Sequence, residues 1–383
     1  MSKEKINIHL YPSPITNESR MLKITHSLAK ENYFDKIYLV GIVESGLLEM
    51  ERIDDKIKIV RIKRIFASDN FGFLGKVFKT LEWSARIIYF AMGKEISCIN
   101  CHSLPVLPIC VFLKWIKKAK LIYDTHELET ETVAMHGIRK KLMKNLERVL
   151  IKYVDSIVVV SGQISNWYAE NYKIVQPIVV RNIPYKRNFN DEKSTILRNR
   201  FQIKSGELIF LTSGILDTGR GVERLLNVFS KCDATKHIVF MGNGPLESRI
   251  KEMSLKKKNI HFLPAVKPEL VQEYVAGADV GFCLIENLCL SYYYSLPNKL
   301  FEYIMAGLPV CINNLPEQKS IIEKYSCGWI ASEDDNEFIN FIQHLTIENL
   351  EPMKKNIFNA RQNLGWHNEE KILLKMFDKM FGK

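Results

Sequence analysis

Along most of the chain, short apolar runs of strand length alternate with longer stretches in which apolar residues recur every third or fourth position. In the first half the runs "INIHLY", "KIYLVGIV", "IKIVRIK", "SCINCHS", "KLIYDTHE", "SIVVVS" and "IVVRNIP" read as strands. Amphipathic stretches separate most of them, the longest being "FGFLGKVFKTLEWSARIIYFAMGKE". Strands alternating with helices predict a parallel sheet covered on both faces. The pattern lapses at "NIPYKRNFNDEKS" and resumes with "ELIFLTSG", "KHIVFMGNG", "NIHFLPAV", "DVGFCLI", "PVCIN" and "CGWIA". The expected fold class is therefore α/β, with two Rossmann-like, doubly wound parallel-sheet domains: residues 1–185, a linker at 186–194, and residues 195–365. A last amphipathic helix, 366–383, follows the final strand. Two such domains are expected to leave a cleft at the carboxyl ends of their strands, where ligands of these folds bind.

Length supports that division, because 383 residues exceed one compact core. The start, "MSKEKINIHLYPSP", lacks the apolar stretch and cleavage site of a signal peptide, so the expected location is cytoplasmic. The longest greasy segment, "LPVLPICVFLKWI", contains two prolines and is too short to span a bilayer. Eight cysteines scattered through apolar runs suit buried, reduced thiols. Cys98, Cys101 and His102 in "CINCH" match a haem-attachment spacing, but the motif ends a strand in a chain read as unexported, and a plain strand is the expectation.

The net charge of +11 changes the picture because it is uneven. Up to Tyr185 there are 28 Lys and Arg against 19 Asp and Glu; beyond it, 26 against 24. The clusters "KIKIVRIKR", "KWIKKAK" and "RKKLMKNLERVLIK" could form a basic face that holds the protein on the inner face of an anionic cell membrane, against the plain alternative of a solvated surface. No nucleic-acid motif accompanies the charge.

Three stretches carry candidate chemistry. In "LIFLTSGILDTGRGVERLLNVF" a strand ends at Ser213 and Gly214, and a helix begins near Gly221 with Arg220 at its start. Such a turn aims backbone N–H groups and a guanidinium at one anion. "VFMGNGPLESRI" places Gly242 and Gly244 at a strand end, where glycine permits tight turns or close approach of a ligand. In "SLPNKLFEYIMAGLPV" the signals frame a helix from Asn298 to Ala306, with Asn298 and Glu302 on one face and Lys299 beside them. A carboxylate there can accept two ribose hydroxyls; the alternative is a surface pair with Lys299.

Taken in order, the Arg-Gly step, "GNGP" and above all "LPNKLFEYIMAGLPV" resemble the retaining glycosyltransferases of family 4, which have the GT-B fold. "YDTHELETE" and "ERVLIKYVDSIVVVS" are similar to stretches of bacterial members that build surface polysaccharides, and Trp366 with the last helix resembles the family's crossover back to the N-terminal domain. The resemblance implies a metal-independent hexosyltransferase without cofactor, moving sugar from a nucleoside-diphosphate donor to a glycan or lipid-linked acceptor. UDP is the first choice of nucleotide, with GDP or dTDP as alternatives. It implies a diphosphate held by Arg220 and Gly214, a ribose on Glu302, and a base read near Val266. Asn17, Glu18 and Arg20 of "SPITNESR" would face the acceptor side, as would His102, while His126 would position sugar or acceptor. Tyr294 stands where the family's first motif glutamate belongs, and Gly214-Ile215 where many members have Gly-Arg, so Lys299 is the candidate replacement cation and Asn298 its neighbour. A silent nucleotide-sugar-binding subunit and a sugar-nucleotide epimerase of the same build are the competing functions.

Overall fold

The computed structural model describes residues 4–16, 18–65, 72–186 and 194–382, with the backbone alone for 72–77. Chain contacts divide it into two units, residues 1–181 with 370–383, and residues 182–369. The expected linker falls largely in 187–193, and Asn17 and Phe71 also lie outside the described residues.

The first unit is built on strands β1 (Ile6–Leu10), β2 (Lys36–Ile42), β3 (Met50–Arg52), β4 (Ile57–Ile62), β5 (Ile96–Cys101), β6 (Lys120–Asp124), β7 (Ser156–Val159) and β8 (Ile178–Val179). Their order across the sheet is β3-β4-β2-β1-β5-β6-β7-β8, parallel except for β3 against β4. Strand β3 is short and exposed, which is why the hydrophobic pattern did not announce it. The order reverses between β1 and β5, the place where open α/β sheets admit ligands beyond their carboxyl ends. On the last helix, Phe377 and Phe381 pack against Phe34, and Tyr33 donates to the Leu374 carbonyl.

The second unit carries β9 (Leu208–Ile215), β10 (Lys236–Asn243), β11 (Ile260–Pro264), β12 (Val280–Cys283), β13 (Val310–Ile312) and β14 (Gly328–Ile330), all parallel, in the order β11-β10-β9-β12-β13-β14. The period-two rule divides its core: Ile209 and Leu211 of β9 face one apolar layer, Leu208 and Phe210 the other. Here the order reverses between β9 and β12, so Gly214 and Cys283 sit at the rim of the corresponding crevice.

Candidate functional site

In the second unit the loop after β9 is shaped by what lies beside it. Gly219 and Gly221 hold positive φ, and a β-carbon on them would strike Leu288 and Leu284 at 2.7 and 2.6 Å. The Glu286 N–H donates to the Gly219 carbonyl at 3.0 Å, tying this loop to the one after β12. Gly242 and Gly244 are required by neighbouring backbone, since β-carbons there would meet the carbonyl oxygens of Gly214 at 1.8 Å and of Leu216 at 2.4 Å. Gly214 itself, at φ +104°, faces open space, so its backbone is approachable.

The helix Asn298–Met305 buries Leu300, Phe301, Ile304 and Met305 and turns Lys299 and Glu302 to its half-buried margin. Tyr303 fixes it in place. Its ring lies over Gly281, where any β-carbon would come within 2.3 Å, and its hydroxyl accepts from the Ser213 N–H at 2.8 Å and pairs with Ser213 Oγ at 3.0 Å. The helix is thereby locked to the end of β9, directly before Gly214. Burial, and the neighbouring Arg220, lower the Lys299 pKa against Cys283 and Glu302, which raise it. Lys299 and Glu302 on this helix and Arg220 on the loop after β9 are thus borne by elements at the sheet's switch point. Arg220 also stacks on Tyr292, 5.1 Å from the ring centroid. Asn298 accepts from Asn182 at 2.8 Å, Val266 packs on the core margin, and Tyr294 ends the short helix Leu290–Tyr293.

The first unit holds a second cluster at its own switch point. His9 Nδ1 lies 2.8 Å from His102 Nε2, and His102 Nδ1 lies 3.1 Å from His126 Nε2 and 3.2 Å from Asp124 Oδ2. Arg20 grips Asp124 with Nε, at 3.0 and 3.1 Å, and with Nη2 at 2.6 Å, and donates through Nη1 to the Val180 carbonyl. Arg20 is thus an interior anchor, 4% exposed. Glu18 accepts from the Ser13 hydroxyl at 2.8 Å. Burial alone would push the Asp124 carboxyl up, but Arg20 and then His102 hold it well below the carboxylate range.

These contacts set the protons. His9 Nε2 is buried with no partner among the described residues, which a bare ring nitrogen tolerates better than an N–H. The His9 proton then sits on Nδ1 and is donated to His102 Nε2; His102 carries its proton on Nδ1, shared between Asp124 and His126 Nε2; and His126 is left with its proton on Nδ1. Burial lowers the His126 pKa to about 3, so the ring is neutral and half-exposed, a hydrogen-bond donor fixed in place. His102, Asp124 and His126 have the ligand types and spacing of a metal site, but Arg20 already takes both carboxylate oxygens. The "CINCH" thiols are buried inside β5, and burial raises both of their pKa values.

Comparison with known proteins decides what kind of second unit this is. Residues 193–363 match the family model described as Glycosyl transferases group 1. Over those residues the chain is similar to a glycosyltransferase group 1 domain. Over 346 residues, 80% of this chain and 74% of the relative, it is 23% identical to the chitobiosyldiphosphodolichol beta-mannosyltransferase of Kluyveromyces lactis. Solved structures share the fold: sucrose-phosphate synthase from Thermosynechococcus elongatus superposes with a TM-score of 0.79 at 14% identity, covering 99% of this chain and all of that one. Anabaena Alr3699/HepE in complex with UDP-glucose gives 0.74 at 14% identity, over 98% of this chain and all of that one. The fold is GT-B. Within the matched residues lie Gly214, Arg220, Lys299 and Glu302; the histidine cluster lies outside them. Sequence reasoning missed Tyr303, Asp124 and His9. Their signal was available: a hydroxyl-bearing ring in the greasy "LFEYIM", and a carboxylate and an imidazole inside runs that read as buried strands.

Proposed function

We propose that this chain is a retaining, metal-independent glycosyltransferase that moves a sugar from a nucleoside-diphosphate donor to a hydroxyl of a glycan or lipid-linked acceptor, in building a cell-surface polysaccharide. The observation that carries the reading is the Tyr303–Ser213 contact, which ties the helix bearing Lys299 and Glu302 to the end of β9, beside the open Gly214 backbone and the loop that bears Arg220. Two cations suit a diphosphate, and because burial is the main cause that lowers the Lys299 pKa, a bound anion would favour its charged form. Glu302, on the half-buried margin of the same helix, would accept the ribose hydroxyls.

In the reaction the bond between the anomeric carbon and the β-phosphate oxygen breaks, and the acceptor oxygen bonds to that carbon. The acceptor proton passes to the departing phosphate on the same face. Charge accumulates on the diphosphate, so Arg220 and Lys299 lower the barrier by holding the leaving group, an effect worth roughly 3–4 kcal/mol per well-placed donor. His126, held as an Nδ1–H donor, would orient an oxygen of the sugar or acceptor. UDP is the preferred nucleotide, supported by the HepE complexes with UDP and UDP-glucose. A lipid-linked acceptor is supported by the dolichol-named relative.

Thermal shifts with UDP, GDP, dTDP and their sugars test the reading, since a ligand at 100 times its Kd stabilises by about 2.7 kcal/mol. No shift with any of them overturns it. Binding without transfer or slow donor hydrolysis identifies a silent subunit instead, and an isomerised donor an epimerase. Because the relative is named for a β-mannosyl product, the anomeric configuration of the product is read directly by NMR; inversion refutes the retaining course.

A further inference from the structure

In the first unit, three helices that pack side by side carry apolar residues on their outer as well as their inner sides. The helix Gly72–Met92 buries Trp83, Ile87 and Ala91 yet exposes Phe78, Leu81, Tyr89 and Met92, at the three- and four-residue steps of one face. Tyr89 is 84% exposed. The helix Leu107–Lys117 buries Ile109, Cys110 and Leu113 and exposes Phe112, Trp115 and Ile116. The helix Gly137–Leu150 exposes Ile138, Leu142 and Val149, the first two at 77% and 64%. Direct contacts tie the surface together: Lys117 Nζ reaches the Met92 carbonyl at 2.7 Å, and the Trp115 ring meets that of Tyr153 at 5.2 Å.

The charge around these stripes is predominantly positive, although Glu131 pairs with Lys140 and Lys144, Asp155 with Lys114 and Glu82 with Arg86. The second and third helices carry Lys114, Lys117, Arg139, Lys140, Lys141, Lys144 and Arg148. Their single acid, Glu147, is buried under the hydroxyls of Tyr123, Tyr168 and Tyr172 at 2.7, 2.7 and 2.6 Å. Isolated apolar residues on a surface need no explanation, but three adjacent stripes rimmed by cations do. A helix packed on a sheet gains nothing by exposing a second apolar face to water, whereas one lying on a bilayer inserts it below the headgroups while lysines and arginines snorkel to the phosphates.

We propose that the outer face of these three helices docks on an anionic phospholipid bilayer, with Tyr89, Trp115, Ile138 and Leu142 entering the interface and Arg139, Lys141 and Arg148 meeting the headgroups. The proposal locates the membrane contact of a lipid-linked acceptor reading, but its test does not use transfer, so the two fail separately.

The full chain is sedimented with vesicles of phosphatidylcholine alone and with vesicles containing about 30% phosphatidylglycerol. Binding is expected to the anionic vesicles and to fall roughly fivefold for each cation removed in Arg139→Ser and Lys141→Ser. Brominated acyl chains should quench tryptophan emission in the wild type, and Trp115→Phe should abolish that part. Ile138→Glu with Leu142→Glu should abolish binding, at unchanged melting temperature and unchanged UDP affinity. If that pair unfolds the protein, the lysine and arginine variants carry the test. Absence of binding to anionic vesicles overturns the proposal. So does equal binding of all variants, or an apolar-face-dependent dimer by light scattering with no vesicle binding, which would assign the surface to a second copy of this chain.

Discussion

Replacing Asp124 with asparagine separates a buried electrostatic anchor from an ordinary polar contact. The carboxylate, 2% exposed, receives three hydrogen-bonding contacts from the Arg20 guanidinium and one from His102. Asparagine keeps the shape but loses the charge, and its Nδ2 hydrogens must face a donor on Arg20 or His102. Arg20, itself 4% exposed, is left as a buried cation with one neutral acceptor in place of a carboxylate. Breaking one side of such a pair costs about 3–5 kcal/mol, far above the 0–1 kcal/mol of a surface pair. Urea unfolding at pH 7, followed by circular dichroism, should show a lower midpoint at an unchanged slope. Adding Arg20→Met to Asp124→Asn should return part of the loss, because the stranded charge is gone. The pH dependence has a definite sign. The folded carboxyl is held below its ordinary 3.8, so the unfolded chain takes up the proton first, and the advantage over the variant is full above that value and fades as pH falls below it. A loss under about 1 kcal/mol at pH 7, or strictly additive single changes, would refute the anchor.

Other expectations follow from the same contacts. Lys299→Ala should weaken UDP binding in titration calorimetry by about tenfold or more, the worth of one charge-assisted contact, with Lys299→Arg intermediate; an unchanged Kd makes Lys299 a surface charge. Glu302→Gln should weaken UDP and uridine alike at unchanged melting temperature, and loss of stability without loss of binding would contradict the ribose role. Tyr303→Phe leaves the buried Ser213 N–H and hydroxyl without their partner and should cost about 1–3 kcal/mol in urea unfolding. His126 is neutral when folded and ionises near its ordinary 6.5 when unfolded, so stability should fall as pH drops below about 6.5, and less steeply in His126→Gln.

Much of this molecule is settled locally. Apolar runs of strand length between amphipathic stretches specify a twice-repeated doubly wound sheet, because only helices on both faces can bury strands that are apolar on both sides. The start and stop signals of the helix Asn298–Met305, with Glu302 on its margin, were likewise legible, since capping and periodicity are properties of adjacent residues. Tertiary structure decided the partners. Arg20 and Asp124 are 104 residues apart, and His9 and His102 are 93 apart. No spacing rule links them; the order β2-β1-β5-β6 of the sheet does, by bringing three strand ends together. It holds Arg20 in the interior and joins His102, at a strand end, to His9, His126 and Asp124. The same holds for Gly242, whose need for glycine is dictated by the Gly214 carbonyl across the β9–β10 ladder. Periodicity fixes which way a side chain points, but only the packed sheet determines what it meets.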